Sequence, residues 1–376
     1  MVSTTRLRAS APLFLFAALV LASAPLAHGQ AQGAVATVAV GKGPAGVAYD
    51  PGRGEVFVTD LLNKSVSVIS DATDKVVATV GVGNDPAEAA YDPGRGEVFV
   101  TNALDNTTSI ISDASDSVVA TVKVGLGPTG LAYDSGRGEV FVANYLGGTV
   151  SVISDASGSV VATIDVGHDP YAPAYDAAKG EVFVTNALDN TTSVISDTTN
   201  KVVATLGVGG GPTGVAYDAS RGQVFVADYL GAAVSVVSDA NDSVVATVKV
   251  GTDPTGVAYD QADGEVFVTN AGNGTVSVIS DSTDAVVATV KVGNDPSGVD
   301  YDSGMGEVFA ANNGDDTVSV ISPTSVSTAS APEFPESGLA GLALVVMASV
   351  AVASKVFYGK RRPGLPPVSA TGALSS

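Results

Sequence analysis

Side chains able to do chemistry are few in this sequence. The chain has no Cys and no Trp, and it has two His residues. His28 falls in an N-terminal leader, so His168 is the one imidazole of the main body. One imidazole and scattered carboxylates do not make a zinc centre, a haem ligand set or an arguable hydrolytic triad. We therefore predict no catalytic residue, no metal site and no cofactor.

Departures from an internal repeat mark one candidate ligand site. The second copy has Glu88 where most copies have Gly, and the fourth copy reads DPYAPAYD, which places Tyr171 close to His168 and Asp169. Together with Asp85, these residues are expected at one mouth of a central channel, where they could bind a cation or a small ligand. The alternative is sequence drift at a tolerant loop.

Other carboxylates recur in every copy, and we expect them to serve the fold. Asp50 and its equivalents end a predicted strand and should accept backbone hydrogen bonds in the following turn. Turns of the SDATDK type pair Asp71 with Asp74 and Asp239 with Asp242, and such pairs could hold Ca²⁺. A polar hairpin turn is the alternative, because no bidentate Glu or Gly-containing calcium loop accompanies them.

A repeated unit of 42 residues must position these side chains. It is seen in GPTGLAYDSGRGEVFVANYLGGTVSVISD followed by SVVATIDVG, and each copy holds four short apolar runs. In the third copy the runs are residues 130–133, 139–144, 149–154 and 160–166. Four strands per unit of this length are typical of a propeller blade. The repeated Pro marks seven copies, at Pro44, Pro86, Pro128, Pro170, Pro212, Pro254 and Pro296. We predict an all-β, seven-bladed β-propeller over residues 34–322.

Strand composition predicts how the blades pack and how the ring closes. EVFV and VVATV are nearly continuous apolar runs, which are expected where both faces of a sheet are covered. The first strand is rich in Gly and Ala and should fit near the axis. The last copy stops after its third strand, and AVATVAV at residues 34–40 matches the missing fourth strand. We therefore expect the N-terminal strand to complete the last blade and remove an open edge.

Loops between the second and third strands should open on the same face as the candidate ligand site. They carry Leu at one repeat position, with Tyr beside two of them. Apolar residues around a rim would form a partner-binding ring; the alternative is that each Leu folds back on its own blade. The residues are Leu62, Leu104, Tyr145, Leu146, Leu188, Tyr229 and Leu230.

Five N-x-[ST] sequons also occur, four of them in these same loops. In an exported protein they predict a glycosylated upper face. The five acceptors are Asn63, Asn106, Asn190, Asn241 and Asn273.

The charge of the predicted propeller is strongly negative. Residues 34–322 hold 12 basic and 37 acidic side chains, a formal charge of −25. This balance argues against nucleic acid or anionic lipid as a partner, since both require basic patches. A solvated acidic surface that keeps the protein soluble is the simplest interpretation.

Both ends of the chain predict export. Residues 1–29 combine Arg6 and Arg8, an apolar core and small residues, as in a signal peptide; an uncleaved N-terminal anchor is the alternative. Residues 323–337 are rich in Pro, Ser and Thr and predict a stalk. Residues 338–358 are long enough for a transmembrane helix. The basic residues 360–362 begin a tail, residues 359–376, that the positive-inside rule places in the cytoplasm, with the propeller outside.

These residues carry a resemblance to known proteins. The pattern GVAYDxxxGEVFVTNxxxxTVSVISDxxxxVVATV resembles the YVTN family of β-propeller repeats of archaeal surface-layer and other cell-surface proteins, with Phe in place of the family's Tyr, as in Phe99 to Asn102. The tail, with Pro332 to Pro335 before an apolar span and a basic cluster, is similar to archaeal PEF-type sorting signals. That second resemblance implies removal of the span and a lipid anchor, although the residues after the basic cluster run longer than usual. A retained transmembrane anchor is the other possibility.

Two classes of function follow. The first is a non-catalytic cell-surface module that binds an extracellular protein or glycan, or takes part in surface-layer assembly. The second is an exported propeller enzyme, lactonase-like or lyase-like, with a site in the axial channel. An ordered ion or cofactor in that channel would distinguish the second class.

Overall fold

Residues 34–322 are described by the computed structural model, and they form the predicted propeller. The predicted signal peptide, stalk, transmembrane helix and cytoplasmic tail all lie outside the described residues. Within residues 34–322, no helix is long and apolar enough to cross a membrane.

Seven antiparallel sheets of four strands each make up the ring. Two short 3₁₀ helices, Tyr145–Gly147 and Tyr229–Gly231, interrupt the loops of blades 3 and 5. Blade 1 comprises β2 (Pro44–Asp50), β3 (Glu55–Asp60), β4 (Ser65–Ser70) and β5 (Lys75–Gly81), and blade 2 comprises β6 (Pro86–Asp92), β7 (Glu97–Asn102), β8 (Thr107–Ser112) and β9 (Ser117–Lys123). Blade 3 comprises β10 (Pro128–Asp134), β11 (Glu139–Asn144), β12 (Thr149–Ser154) and β13 (Ser159–Asp165), and blade 4 comprises β14 (Pro170–Asp176), β15 (Glu181–Asn186), β16 (Thr191–Ser196) and β17 (Lys201–Gly207). Blade 5 comprises β18 (Pro212–Asp218), β19 (Gln223–Asp228), β20 (Ala233–Ser238) and β21 (Ser243–Lys249), and blade 6 comprises β22 (Pro254–Asp260), β23 (Glu265–Asn270), β24 (Thr275–Ser280) and β25 (Ala285–Lys291). Blade 7 comprises β26 (Pro296–Asp302), β27 (Glu307–Asn312) and β28 (Thr317–Ile321) together with β1 (Ala36–Ala39).

Ring closure occurs as the sequence predicts. Strand β1 pairs antiparallel with β28, from Ala36 opposite Val320 to Ala39 opposite Thr317. Val38 of β1 is buried in the apolar cluster between blades 7 and 1, which includes Phe309. The first and last described strands therefore share one sheet, and the hydrophobic core continues across the junction.

The core lies between the blades. Each second strand presents one Phe to the following blade, where it packs among Val and Ile side chains; Phe57 of blade 1, for example, contacts the cluster that includes Val98 and Ile111 of blade 2. All seven Phe side chains are fully buried or nearly so. Because each blade covers the face of its neighbour, the second and third strands are apolar on both faces.

Outer strands differ from the prediction. We expected the VVATV runs to be covered on both faces, yet the second Val of this strand is exposed in five blades. The exposed fractions are 54% for Val77, 55% for Val119, 53% for Val161, 55% for Val203 and 51% for Val245. The blades splay apart with distance from the axis, so their outer strands lose the neighbour that covers the inner ones.

Recurring Asp, Tyr and Asn residues join elements together. Asp92 Oδ1 accepts the Gly94 amide at 2.8 Å and the Arg95 amide at 3.3 Å, which confirms the predicted turn-forming role. Tyr91 donates its hydroxyl to Asp113 at 3.2 Å in the same blade. At the other end of the blade, the buried Asn102 accepts the Gly83 amide. Each position recurs in most blades, so these polar residues are explained by the scaffold.

Candidate functional site

Loops of two kinds form each face of the ring. The face that we call upper carries the loops between second and third strands and the loops that lead from one blade to the next. These two kinds of loop are hydrogen-bonded to each other, as in the Tyr145 amide to the Gly127 carbonyl at 2.9 Å. The lower face carries the remaining hairpin turns. The axial channel runs between the two faces and is lined by the seven first strands.

A narrow ring of small residues divides the channel. A Cβ built on Gly130 would lie 2.6 Å from the Tyr171 carbonyl oxygen of the next blade. Gly therefore allows neighbouring first strands to approach closely, as predicted for positions near the axis. The lower chamber has a volume of about 390 Å³ and the upper pocket about 100 Å³.

Glu88 stands in that ring and lines both spaces. Its Oε1 accepts the amide of Val47 from blade 1 and the amide of Ala89, both at 3.2 Å. Burial raises the pKa of Glu88 to about 7, and nearby Asp300 adds to this, while the two amides act in the opposite direction. The side chain is therefore a mixture of carboxyl and carboxylate near neutral pH.

Asp300 is a channel carboxylate that the sequence analysis missed. It lies on β26 in the lower chamber and accepts the Tyr49 amide of blade 1 at 2.9 Å and the Tyr301 amide at 2.9 Å. Burial raises its pKa to about 6. Glu88 and Asp300 thus hold β2 from the two neighbouring blades. The signal was present in the sequence, since Asp300 replaces the Ala found at this position in the other six copies.

Tyr171 lies at the upper mouth of the channel, as predicted. It lines the upper pocket with Glu88, and its exposed fraction is 36%. Its ring meets Tyr145 of blade 3 edge to face, with centroids 6.5 Å apart and planes at 82°. Burial raises the pKa of Tyr171 to about 12, with smaller contributions from Glu88, Tyr145 and Tyr229. The mouth therefore combines aromatic rings with a carboxylate below them.

None of the other three predicted residues lines the channel, but the Asp169 carboxylate lies close to the Tyr145 hydroxyl at the mouth. His168 is 77% exposed and lies 3.0 Å from Asp189 of its own blade through Nδ1. Asn84 makes the same contact with Asp105 in blade 2, at 2.7 Å. His168 is thus a variant of a repeated loop contact. Asp85 and Asp169 have positive φ angles of 58° and 52° and support the loops through their carbonyl groups.

Leucines on the upper face are largely exposed. The Leu146 side chain lies over Gly127, where a built Cβ would approach its Cγ to 2.8 Å, so part of it covers its own blade. Most of each side chain nevertheless remains in solvent. The exposed fractions are 68% for Leu62, 73% for Leu104, 72% for Leu146, 66% for Leu188 and 77% for Leu230, with Tyr229 at 37%.

The predicted sequons and carboxylate turns are found in loops of the two faces. Four acceptors lie in the upper loops and Asn241 lies in a lower turn; Asn63, Asn190, Asn241 and Asn273 are exposed and Asn106 is half-buried. Asp74 and Asp242 have positive φ angles of 52° and 51° in tight hairpin turns. Across residues 34–322, His, Asp and Glu side chains nowhere meet in groups of three placed to hold a metal ion.

Comparison with known proteins supports the architecture. No protein-family model and no curated protein matches the chain. Among solved structures, the chain is similar to the hydrazine synthase of Kuenenia stuttgartiensis, with a TM-score of 0.68 and 18% sequence identity, over 74% of this chain and 95% of that one. Similarity at this identity concerns the fold alone. The chain is a seven-bladed β-propeller with four-stranded blades.

Proposed function

We propose that the protein is a non-catalytic binding module of the cell envelope, which displays its propeller outside the cell and binds an extracellular protein through the upper face. The observation that carries this proposal is a row of five leucines on the neighbouring blades 1 to 5, which we call the leucine rim, each about two thirds or more exposed on one face: Leu62, Leu104, Leu146, Leu188 and Leu230. Apolar side chains clustered on one surface are typical of interaction sites.

Charge helps to define the partner. The leucines stand on a propeller with a formal charge of −25. A partner with an apolar centre and a basic periphery would complement both features, and its approach would be accelerated by the acidic field. Aliphatic side chains favour a protein over a glycan, because they contribute buried apolar area and no hydrogen bonds.

The sequence supports a location outside the cell. A signal peptide at residues 1–29, a stalk at 323–337, a membrane-spanning segment at 338–358 and the basic residues 360–362 would place the propeller outside on a single-pass anchor. The resemblance to YVTN repeats and to PEF-type signals favours an archaeal cell surface, with the anchor kept or exchanged for a lipid. Glycans on the upper sequons would restrict the partner to the exposed leucines between them.

An exported enzyme is the second candidate function. One specific observation favours it, the pair of carboxylates Glu88 and Asp300 in the axial channel with pKa values raised to about 7 and about 6. Perturbed carboxyl groups are common in active sites. Both side chains, however, accept amide hydrogen bonds that hold β2 in place, so the scaffold already explains them.

A matched pair of triple variants tests the leading proposal. Leu104, Leu146 and Leu188 are changed to Asp in the full chain, which is produced in its own host; the control changes Val119, Val161 and Val203 to Asp. Both sets are exposed aliphatic residues of blades 2 to 4. Complexes solubilised from membranes are then compared by native electrophoresis. We expect the leucine variant to lose its complex and the valine variant to keep it.

Three results would overturn the proposal. If the leucine variant keeps its complex, the leucine rim does not take part in binding. Equal loss in both variants would show a general effect of added charge. If a membrane-impermeant reagent does not label the wild-type protein on intact cells, the predicted location outside the cell is wrong.

A further inference from the structure

The upper pocket of the channel has features that the proposed rim function does not use. Its wall includes Ala45 and Ala87 on one side, Tyr171 on the other and Glu88 below. At about 100 Å³ it has room for roughly three waters. This volume fits the head group of a small molecule, which would enter from the upper face.

Among residues 34–322, no cationic side chain pairs with Glu88. Its two hydrogen bonds are both accepted by Oε1, so Oε2 remains available to a ligand. Burial raises the pKa of Glu88, the amides of Ala89 and Val47 lower it, and the carboxylate of Asp300 raises it. None of these effects comes from a cation. Glu88 is half-buried and lines the pocket, and a carboxylate partly withdrawn from water is stabilised by an opposite charge beside it. A bound cation would supply the missing partner.

Aromatic rings stand above this carboxylate. Tyr171 and Tyr145 form an edge-to-face pair with centroids 6.5 Å apart. The blades that lack Tyr at the Tyr171 position have Ala, Thr or Ser there, and the Thr129 hydroxyl donates to the Tyr171 carbonyl at 2.8 Å. Tyr171 is thus an added ring at the mouth, on a backbone held in the same way as its neighbours. Faces of Tyr rings attract cations.

A metal ion fits this chemistry poorly. Ca²⁺ takes six to eight oxygen ligands, whereas no three carboxylate or imidazole side chains of residues 34–322 converge on one point. An alkylammonium needs fewer directed bonds, since it combines one carboxylate with aromatic and apolar contacts. The acidic field of the propeller would also raise the local concentration of cations.

We propose that the upper pocket binds a small organic ammonium, with its charge on Glu88 and its alkyl groups against Tyr171. The pocket is separate from the leucine rim, so ligand binding in the pocket and partner binding through the rim can be disproved independently. The ligand class is a primary or quaternary ammonium head group, free or at the end of a larger molecule that projects from the mouth.

Calorimetric titration of the full chain with choline at pH 8 tests this assignment. Its neutral isostere, 3,3-dimethyl-1-butanol, is titrated under the same conditions and at the same ionic strength. We expect saturable binding of choline and at least about tenfold weaker binding of the alcohol, because only choline can pair with the carboxylate.

Three variants locate the site. We expect Glu88→Gln to weaken choline binding about tenfold, since it keeps the shape and removes the charge. Tyr171→Thr restores the residue found in three other blades and should weaken binding by about five- to tenfold. His168→Asn copies the contact of Asn84 with Asp105 away from the pocket and should leave binding unchanged.

The pH profile gives a readout that needs no variant. Glu88 faces Asp300 on β26 and Tyr171 on β14, and among these three groups the two carboxyl groups titrate between pH 5 and 8. Choline affinity should fall between pH 8 and pH 5.5 as Glu88 becomes protonated. Asp300→Asn should retain that fall. The assignment is overturned by equal affinity for choline and the alcohol, by an absence of saturable heat, or by affinities that neither Glu88→Gln nor Tyr171→Thr changes.

Discussion

At the scale of single residues, departures from the repeat show which buried polar side chains keep all their hydrogen-bond partners and which lose some of them. Blades 2, 3, 4, 6 and 7 end the second strand with a buried Asn, whereas blades 1 and 5 have Asp60 and Asp228. Asn186 donates to Thr191 and Ser193 and accepts the Gly167 amide at 3.1 Å. Asp228 accepts the Ser235 hydroxyl at 2.8 Å and can donate nothing when ionised. Burial raises its pKa to about 6.

Asp228→Asn should therefore stabilise the protein. The change removes a buried charge and restores the donor that most blades have, so we expect the free energy of unfolding to rise by about 2 kcal/mol at pH 7.5. Urea unfolding followed by circular dichroism measures it. The gain should shrink at pH 4, where Asp228 is protonated in the folded state. The reverse change Asn186→Asp serves as the control and should destabilise; equal effects of the two changes would contradict this explanation.

At the scale of elements, the sequence predicts strands better than it predicts which side chains meet. The repeat period identified every blade and the strand at residues 34–40 that closes the ring, because strand spacing depends on local composition. It did not show that His168 turns outward to Asp189 while Tyr171, three residues later, turns to the axis. Nor did it bring Asp300 and Glu88 together, which lie 212 positions apart and line the same lower chamber from the two blades that flank β2. Such contacts depend on the geometry of the closed ring.

Closure by β1 gives a prediction for one element. Val38 is buried at 5% exposure in the cluster between blades 7 and 1, so Val38→Asp would place a charge in that core. We expect a loss of about 3 kcal/mol or more in the free energy of unfolding. Thermal unfolding by circular dichroism would measure it. Thr37→Asp, on the exposed face of the same strand, should change stability by less than about 0.5 kcal/mol; equal losses would argue against a role of β1 in the core.

At the scale of the whole molecule, two half-buried carboxyl groups of the channel link stability to pH. The folded-state pKa values of Glu88 and Asp300, about 7 and about 6, lie above their ordinary values of 4.5 and 3.8. A raised carboxyl pKa means that the folded state binds the proton more tightly, so this stabilisation is complete below the ordinary values and is lost as pH rises through 6 to 7. The ring should therefore be more stable at pH 5 than at pH 8.

The double variant Glu88→Gln with Asp300→Asn isolates this effect. We expect the wild type to lose a few kcal/mol of unfolding free energy between pH 5 and pH 8, and the double variant to lose distinctly less. Denaturant unfolding at the two pH values provides the measurement. Parallel pH profiles would show that carboxyl groups outside the channel, such as Asp228 and Glu265, set the dependence.

The most direct test of the proposed function places a photo-crosslinking amino acid at Leu146 on the upper face, and separately at Val161 on the outer strand of the same blade. The two sites are 72% and 53% exposed. After irradiation of intact cells of the protein's own host, we expect a discrete adduct with a second extracellular protein from the Leu146 site alone. An adduct with glycan alone, the same products from both sites, or no product from Leu146 would contradict partner binding through the leucine rim.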